Sequence, residues 1–271
     1  MRMPLGGKLF CNIYIISDHI TVCYILVGMI YTVKDVEKLG SIMGIWAHPD
    51  DESWSSAGIM AAAGENGQSV SVLCATNGDA GQTANETSWS QVKLRDIRKE
   101  ELRRALAAVG VQDYTFLDYE DGKLDRIDSQ IAIEAIIKHI KAFSPDTILT
   151  FEENGITGHG DHRTISTWAR QAIANLETDT SVYGAVETQQ TYDAIGKQAD
   201  ELFNVYFAID EPVLYDQDTV DLQFILPPAL QEKKRQTLRA HASQTHQLFK
   251  HDVGKKLLKG SLEQECFIRL N

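Results

Sequence analysis

Two short polar clusters hold the residues of this chain best suited to chemistry. The first, Ala47-His48-Pro49-Asp50-Asp51-Glu52, places an imidazole and three carboxylates directly after an apolar run, Ile42 to Trp46. The second, Gly155-Ile156-Thr157-Gly158-His159-Gly160-Asp161-His162-Arg163, follows about 110 residues later. Taken singly, each acidic residue reads as a solvated loop residue. His159 and His162 alone read as loop histidines at a helix start, with Asp161 as N-cap. As a set they read differently, because three adjacent carboxylates repel one another unless positive charge sits among them. A divalent cation would supply it. Pro49 lacks an N–H and fixes its own φ, so it stops the strand and turns the chain. Across that turn His48 and Asp51, three apart, can converge on one ion while Asp50 points elsewhere.

If the two clusters meet, His48, Asp51 and His162 supply two imidazoles and one carboxylate. That set suits zinc, or another divalent metal such as Fe2+. Three protein ligands with an open position mark a catalytic site rather than a structural one. Such a metal acidifies water and polarises a carbonyl. Asp50 is then expected as general base. His159 is expected to stabilise an oxyanion or to protonate a leaving amine. Asp161 is expected to hold one imidazole through its second nitrogen. The chemistry implied is hydrolysis of an amide or a related bond.

The elements around these clusters must bring them together. Ile42–Trp46 reads as a buried strand, and Ser55–Asn66 as a helix. A second strand, Val70–Ala75, leads into a loop over Thr76–Thr87. A strong amphipathic helix spans Val92–Val109, with Ile97, Leu102, Ala105, Leu106 and Val109 on one face and Gly110 closing it. Tyr114–Leu117 is a third strand, followed by the acidic turn Asp118-Tyr119-Glu120-Asp121-Gly122. A helix over Ile127–Phe143, a fourth strand over Thr147–Phe151 and a helix over Thr164–Leu176 complete the recurring pattern. Strand, polar turn and helix in alternation predict a Rossmann-like, doubly wound, mostly parallel α/β sheet with helices on both faces. In the order 3-2-1-4-5, strands one and four are neighbours at the switch point, where ligands bind. Beyond Ser181 the pattern loosens. Leu202–Ile209 and Leu222–Leu226 read as strands and Ala229–Ala240 as a helix, while the last forty residues give weak signals.

Composition narrows the class. The 271 residues carry a formal net charge of −12, which disfavours nucleic acid and anionic membrane surfaces as partners. Cys11, Cys23, Cys74 and Cys266 form no C-x-x-C pair, and a reducing cytoplasm is the simplest setting. Residues 1–40 read as a poorly patterned extension, and 41–271 as the working domain. The run Ile20–Val33 is too short and interrupted for stable membrane insertion. Met29 or Met43 is favoured as the working start. A homo-oligomer is compatible with the sequence.

The motif Ala47-His48-Pro49-Asp50-Asp51-Glu52 with His159-Gly160-Asp161-His162 resembles the LmbE / PIG-L deacetylase family. Further matches are Thr76-x-Gly78-Asp79-Ala80-Gly81, Arg98-x-x-Glu101-Leu102, the Asp121-Gly122 turn and His241-x-Ser243-Gln244. The likeness runs from about Ile42 to about Leu248. It implies a zinc-dependent de-N-acetylase acting on a small N-acetylglucosamine conjugate. By motif, His48, Asp51 and His162 match metal ligands, Asp50 the base and His159 the residue assisting the tetrahedral intermediate. Arg98 and Asp121 match substrate-binding positions, against the plainer expectation of a solvated helix Arg and a turn Asp. Gly160 and the Ile156–Gly158 stretch depart from the commoner Pro and Tyr forms. Two alternatives remain: an amidase cleaving a larger acyl group from a sugar–thiol conjugate, and a non-hydrolytic nucleotide-binding Rossmann module. The latter lacks a G-x-G-x-x-G after strand one.

Overall fold

The computed structural model describes residues 32–81 and 90–271, and before these the backbone of three strands, Phe10–Ile16, His19–Ile25 and Met29–Ile30. The expectations for the rest of 1–31 and for the second half of the Thr76–Thr87 loop lie outside the described residues.

Seven strands form the main sheet: β1 (Ile42–Trp46), β2 (Val70–Thr76), β3 (Asp113–Tyr119), β4 (Thr147–Phe151), β5 (Ser181–Ala185), β6 (Leu222–Ile225) and β7 (Gln264–Arg269). Their spatial order is β3-β2-β1-β4-β5-β7-β6, with Met29–Ile30 pairing beside β6. β1 to β5 run parallel, and β7 lies antiparallel to both β5 and β6. β1 and β4 are buried at every position, which is why both read as unbroken apolar runs. They pair directly, Ile42 opposite Thr147 and Met43 opposite Ile148. The expected doubly wound order is therefore present, and the two polar clusters leave adjacent strand ends.

The helices are α1 (Asp51–Ser55), α2 (Ala57–Glu65), α3 (Gln91–Ala108), α4 (Ser129–Phe143), α5 (Gly160–Ala174), α6 (Lys197–Phe203), α7 (Pro228–Ala240), α8 (Ala242–Lys250) and α9 (Asp252–Glu263). α4 packs on α5, while α2 and α3 pack on α7, giving two helical groups. Ser90 starts α3 by accepting the Lys93 N–H at 3.3 Å.

The structure corrects several sequence expectations. Helix starts at α1, within the first polar cluster, and breaks at Ser56 before α2, so the single helix over Ser55–Asn66 is two. Leu202–Ile209 is no strand. α6 runs to Phe203 and stops at Asn204, whose φ of 51° and ψ of 55° are left-handed. Phe203, Val205 and Tyr206 line a cavity instead of meeting a sheet neighbour, while Leu202 and Phe207 are exposed. The weakly patterned last forty residues form α8, α9 and β7, the last an antiparallel insertion between β5 and β6. A boundary at residue 40 also divides one core. Val33–Leu39 is a 3-10 helix whose Val36 and Leu39 are buried with β1 and β4.

One buried ion pair ties this last segment to the front of the sheet. Glu265 on β7 accepts the Gly58 and Ile59 N–H groups at 2.8 and 2.9 Å, capping α2, and pairs with Lys234 of α7 at 2.8 Å. The two side chains are 0% and 1% exposed. Removing one partner strands the other charge in the core. Glu265→Ala is expected to cost about 3–5 kcal/mol in urea unfolding, and Glu265→Ala with Lys234→Met to recover most of it. Equal losses in the single and double variants would contradict this.

Candidate active site

The site lies where β1 and β4 end. After Trp46 the chain turns through Pro49 into Asp50, whose φ of 124° and ψ of −23° are strained for a non-glycine residue. Neighbours fix that conformation from several sides. The Asp50 N–H donates to Glu52 Oε2 at 3.0 Å, and Arg98 Nη2 donates to the Pro49 carbonyl at 2.5 Å. Arg98 Nη2 also lies 3.2 Å from Asp50 Oδ1. Glu52 is itself held by His241 Nε2 at 2.9 Å and by the Ser53 hydroxyl at 2.5 Å.

The second cluster is shaped by Glu152, the residue after β4. Its carboxylate accepts the Asn154 N–H at 2.7 Å and the Ile156 N–H at 2.9 Å. It thereby stabilises a tight turn in which Ile156 sits at φ 59° and ψ −66°, a costly conformation for a β-branched residue. Gly155 has φ +74°, and a Cβ there would meet His162 Cβ at 2.6 Å. Only glycine allows this approach, and it delivers the Gly155 carbonyl to His162 Nδ1 at 2.9 Å. The His162 ring stacks on Phe151, centroids 4.0 Å apart and planes 7° off parallel.

His48, Asp51 and His162 converge. His48 Nδ1 and His162 Nε2 are 3.1 Å apart. Asp51 Oδ1 lies 3.4 Å from His162 Nε2, and Asp51 Oδ2 lies 3.6 Å from His48 Nδ1. The outer nitrogens explain the orientation. His48 Nε2 faces Asp121 Oδ1 at 2.9 Å and Asp161 Oδ2 at 3.2 Å. Carboxylates and the Gly155 carbonyl only accept, so each neutral ring spends its proton on its outer side. The inner nitrogens then face each other as two lone pairs beside a carboxylate. That arrangement is repulsive unless a positive charge enters it, and the donor set matches a divalent metal of the borderline class. A proton is the competing occupant. Burial would lower the pKa of His48, but the Asp121, Asp161 and Asp51 carboxylates outweigh it and hold it well above the usual value. Burial likewise opposes ionisation of Asp51, yet His162 and His48 hold its carboxyl well below the ordinary range.

Two other groupings bring possible ligand atoms together, His48 with His159 and His162, and His48 with Asp121 and Asp161. Both fit less well. His159 Nδ1 already accepts the Asp161 N–H at 3.1 Å, which leaves the proton on Nε2. The Asp161 oxygens accept the Gly122 and Leu124 N–H groups at 2.7 and 3.1 Å, and Asp121 Oδ2 accepts the Ala80 N–H at 3.2 Å. Asp121 and Asp161 are the carboxylates that orient a ligating imidazole from behind.

The remaining site residues fall as follows. Asp50 stands beside Asp51. Burial, opposed by Arg98 and reinforced by Asp51, raises its carboxyl to about 6. The His159 ring meets His48 edge-on, centroids 4.7 Å apart. Burial and the neighbouring His48 and His162 lower it to about 4, so it is a neutral imidazole at pH 7. Arg98, for which the plainer sequence expectation was a solvated helix Arg, is instead 3% exposed. Its terminal nitrogens are directed at Pro49, Asp50 and the Gly78 carbonyl. Asp121, expected to meet substrate, is instead occupied by His48 and Ala80. Both are buried, and protein groups meet the Asp121 oxygens and the Arg98 terminal nitrogens, while the Arg98 Nε has no partner among the described residues. Phe151 and Glu152 were not singled out from the sequence, and His241 was noted only within a minor motif. Glu152, an acidic residue directly after a buried strand, carried the same signal as the first cluster. Glu101 and Ser243, from two of the minor motifs, hydrogen-bond each other, Ser243 N–H and hydroxyl donating to Glu101 at 2.7 and 2.6 Å.

A cavity of about 710 Å³ opens beside Asp51 and His162 and runs under α6 and α9. Glu187 is set in its wall, and burial raises its carboxyl to about 7 although Thr188 and Tyr206 hydrogen-bond to it. The folded pKa lies above the unfolded value of 4.5. The stabilisation from holding this proton is therefore complete below pH 4.5 and lost as the pH rises through about 7. The loss is on the order of 3 kcal/mol. Glu187→Gln is expected to flatten stability against pH over that window in chemical unfolding. An unchanged slope would contradict the assignment.

The structure is thus an α/β sheet with a His/Asp cluster at its switch point, and comparison with known proteins narrows the class. Residues 43–173 match the model of the family described as PIG-L: GlcNAc-PI de-N-acetylase. It is 26% identical over 172 residues to a probable N-acetyl-alpha-D-glucosaminyl L-malate deacetylase 2 of Bacillus cereus, covering 62% of this chain and 77% of that protein. It is 28% identical over 234 residues to a 1D-myo-inositol 2-acetamido-2-deoxy-alpha-D-glucopyranoside deacetylase of Thermobifida fusca, covering 74% and 82%. Two further relatives are matched over 43% and 48% of their own length. Among solved structures, N,N'-diacetylchitobiose deacetylase of Pyrococcus horikoshii superposes with a TM-score of 0.57 at 20% identity, over 85% of this chain and 83% of that one. GalB, the 4-carboxy-2-hydroxymuconate hydratase of Pseudomonas putida, superposes with a TM-score of 0.59 at 20% identity, over 81% and 83%. These two likenesses establish the fold, which carries more than one chemistry. No helix among the described residues is long and apolar enough to cross a membrane.

Proposed function

We propose that the protein is a metal-dependent hydrolase that removes the N-acetyl group from an N-acetylglucosamine-type conjugate. His48, Asp51 and His162 would hold a zinc ion, or Fe2+ in its place. The observation that carries this reading is the convergence of the inner nitrogens of His48 and His162, 3.1 Å apart beside Asp51, with an acceptor behind each ring. The family match and the deacetylase names of the relatives support the amide chemistry.

A divalent metal bound here supplies Lewis acidity to a substrate carbonyl and acidifies solvent. The chain's own residues do the rest. Asp50, at about 6, accepts a proton from the attacking water near neutral pH. Arg98, with Glu52 at the backbone, keeps the Asp50 carboxylate oriented. His159 donates its Nε2–H to the carbonyl oxygen as negative charge develops there, and its neutral state suits donation of a hydrogen bond rather than of a proton. The proton taken by Asp50 is returned to the departing amine. Asp121 and Asp161 keep His48 in the one tautomer that presents Nδ1 inward.

The test is amine release from a panel of N-acetylglucosaminides by the purified, zinc-loaded protein. Release with stoichiometric acetate is the expected result. A fully metal-loaded protein that frees no amine from any member contradicts the proposal.

A further inference from the structure

The cavity beside Asp51 and His162 is far larger than an acetyl group requires. At about 710 Å³ it falls in the range that buries a whole drug-sized ligand. Its wall is mostly apolar, built from Trp54, Phe151, Phe203, Val205, Leu248 and Leu257. The only acidic side chains lining it are Asp51, Glu187 and Glu265, and among the described residues that line it there is no Lys or Arg. Asp51 faces the two imidazoles, and Glu265 is taken up by Lys234 and the start of α2. Glu187 receives the Tyr206 hydroxyl, and burial raises its carboxyl to about 7. The segment after α6 also exposes apolar surface beyond the cavity, with Phe207 60% exposed and in edge contact with His159.

From this wall we infer that the group flanking the scissile amide is an uncharged apolar chain of several carbons, and that anionic conjugates such as a malate glycoside are rejected. The inference rests on the hydrolase reading and specifies its substrate. A carboxylate or phosphate lodged in this cavity away from Asp51 and His162 would lose its hydration and meet the Glu187 and Glu265 side chains but no Lys or Arg among the described residues, which is unfavourable. A polyol could pair only with the Ser, Thr and Gln side chains of the wall, among them Gln244, Gln247 and Gln264, and would leave its other hydroxyls unpaired against Trp54, Phe203, Val205, Leu248 and Leu257. An alkyl chain suffers neither loss and gains from each methylene buried. The chain can reach the cavity from either side of the amide, as part of the acyl group or as the aglycone.

Two substrate series given to the full, zinc-loaded chain decide this. One lengthens the aglycone of an N-acetylglucosaminide from methyl to decyl. The other lengthens the N-acyl group of methyl glucosaminide from acetyl to decanoyl. In one series kcat/KM is expected to rise about 4-fold per buried methylene, reaching about 100-fold overall, which corresponds to three or four methylenes in the cavity. The series that rises identifies the side. The malate glycoside is expected to be no better than the methyl glycoside. Leu257→Lys, with Val205→Lys as a second variant, is expected to cut the long-to-short ratio at least tenfold. Circular dichroism on both variants guards against misfolding.

Turnover of the methyl glycoside with flat series, or preference for the malate glycoside, overturns the inference and leaves the hydrolase standing. If no member is turned over, calorimetric binding of decyl and methyl glucosides, neither of which has an amide, still decides it. Tighter decyl binding that is lost in Leu257→Lys supports the apolar occupant while the hydrolase reading falls. Equal binding removes both.

Discussion

Asp50→Asn is expected to lower kcat for amide hydrolysis by about 1,000-fold while metal content and the folded state are kept. The substitution is nearly isosteric and leaves the Arg98 contact one oxygen to accept from. What it removes is proton affinity. Asp50 is suited to the transfer because burial lifts its carboxyl to about 6, against the pull of Arg98. It is held in place by a backbone at φ 124° that Glu52 and Arg98 hold from both sides. In the parent enzyme kcat/KM is expected to fall as pH drops through about 6, where the base becomes protonated. The variant should lose that acid limb along with its rate. Pre-steady-state amine release at several pH values measures both. A variant that loses less than tenfold, or keeps the acid limb, removes Asp50 from the role.

His162→Ala is expected to abolish activity by a different route, loss of the metal itself. One inner nitrogen disappears, leaving His48 and Asp51, and two ligands do not make a catalytic site of this kind. Purified parent protein dialysed against zinc should retain about one equivalent by plasma mass spectrometry, and the variant less than a tenth of that. The two variants thus separate chemistry from assembly, since Asp50→Asn keeps its ion and His162→Ala does not. Occupancy of the parent should also fall on acidification, because a proton on His48 Nδ1 competes for the same space. Full zinc retention by His162→Ala would show that the ion is held elsewhere.

The strands at the front of the sheet were legible because β1 and β4 are buried on both faces and so spell continuous apolar runs, each followed by a polar turn, while their order was an assumption of the doubly wound class. The convergence of His48, Asp51 and His162 follows from that order together with a proline stop. The back half was harder to read. β7 enters antiparallel between β5 and β6 from the far end of the chain, a placement that no local pattern records. In the run Leu202–Ile209, Phe203, Val205 and Tyr206 line a cavity, and facing a cavity asks for the same side chains as facing a sheet. The burial of Arg98 and Asp121 was hidden for a related reason. Their types suit a ligand or solvent, and only the folded structure shows that Pro49, Gly78, Asp50, Ala80 and His48 meet most of their polar atoms. The tautomers of the two imidazoles, on which the metal site rests, depend on carbonyl and carboxylate positions far apart in sequence.

Diffraction from zinc-loaded crystals at the metal absorption edge is the most direct examination of that site. A single anomalous peak bounded by His48 Nδ1, Asp51 and His162 Nε2 is the expected result. A peak placed instead against His48 Nε2, Asp121 and Asp161, or none in crystals that hold zinc elsewhere, would contradict it.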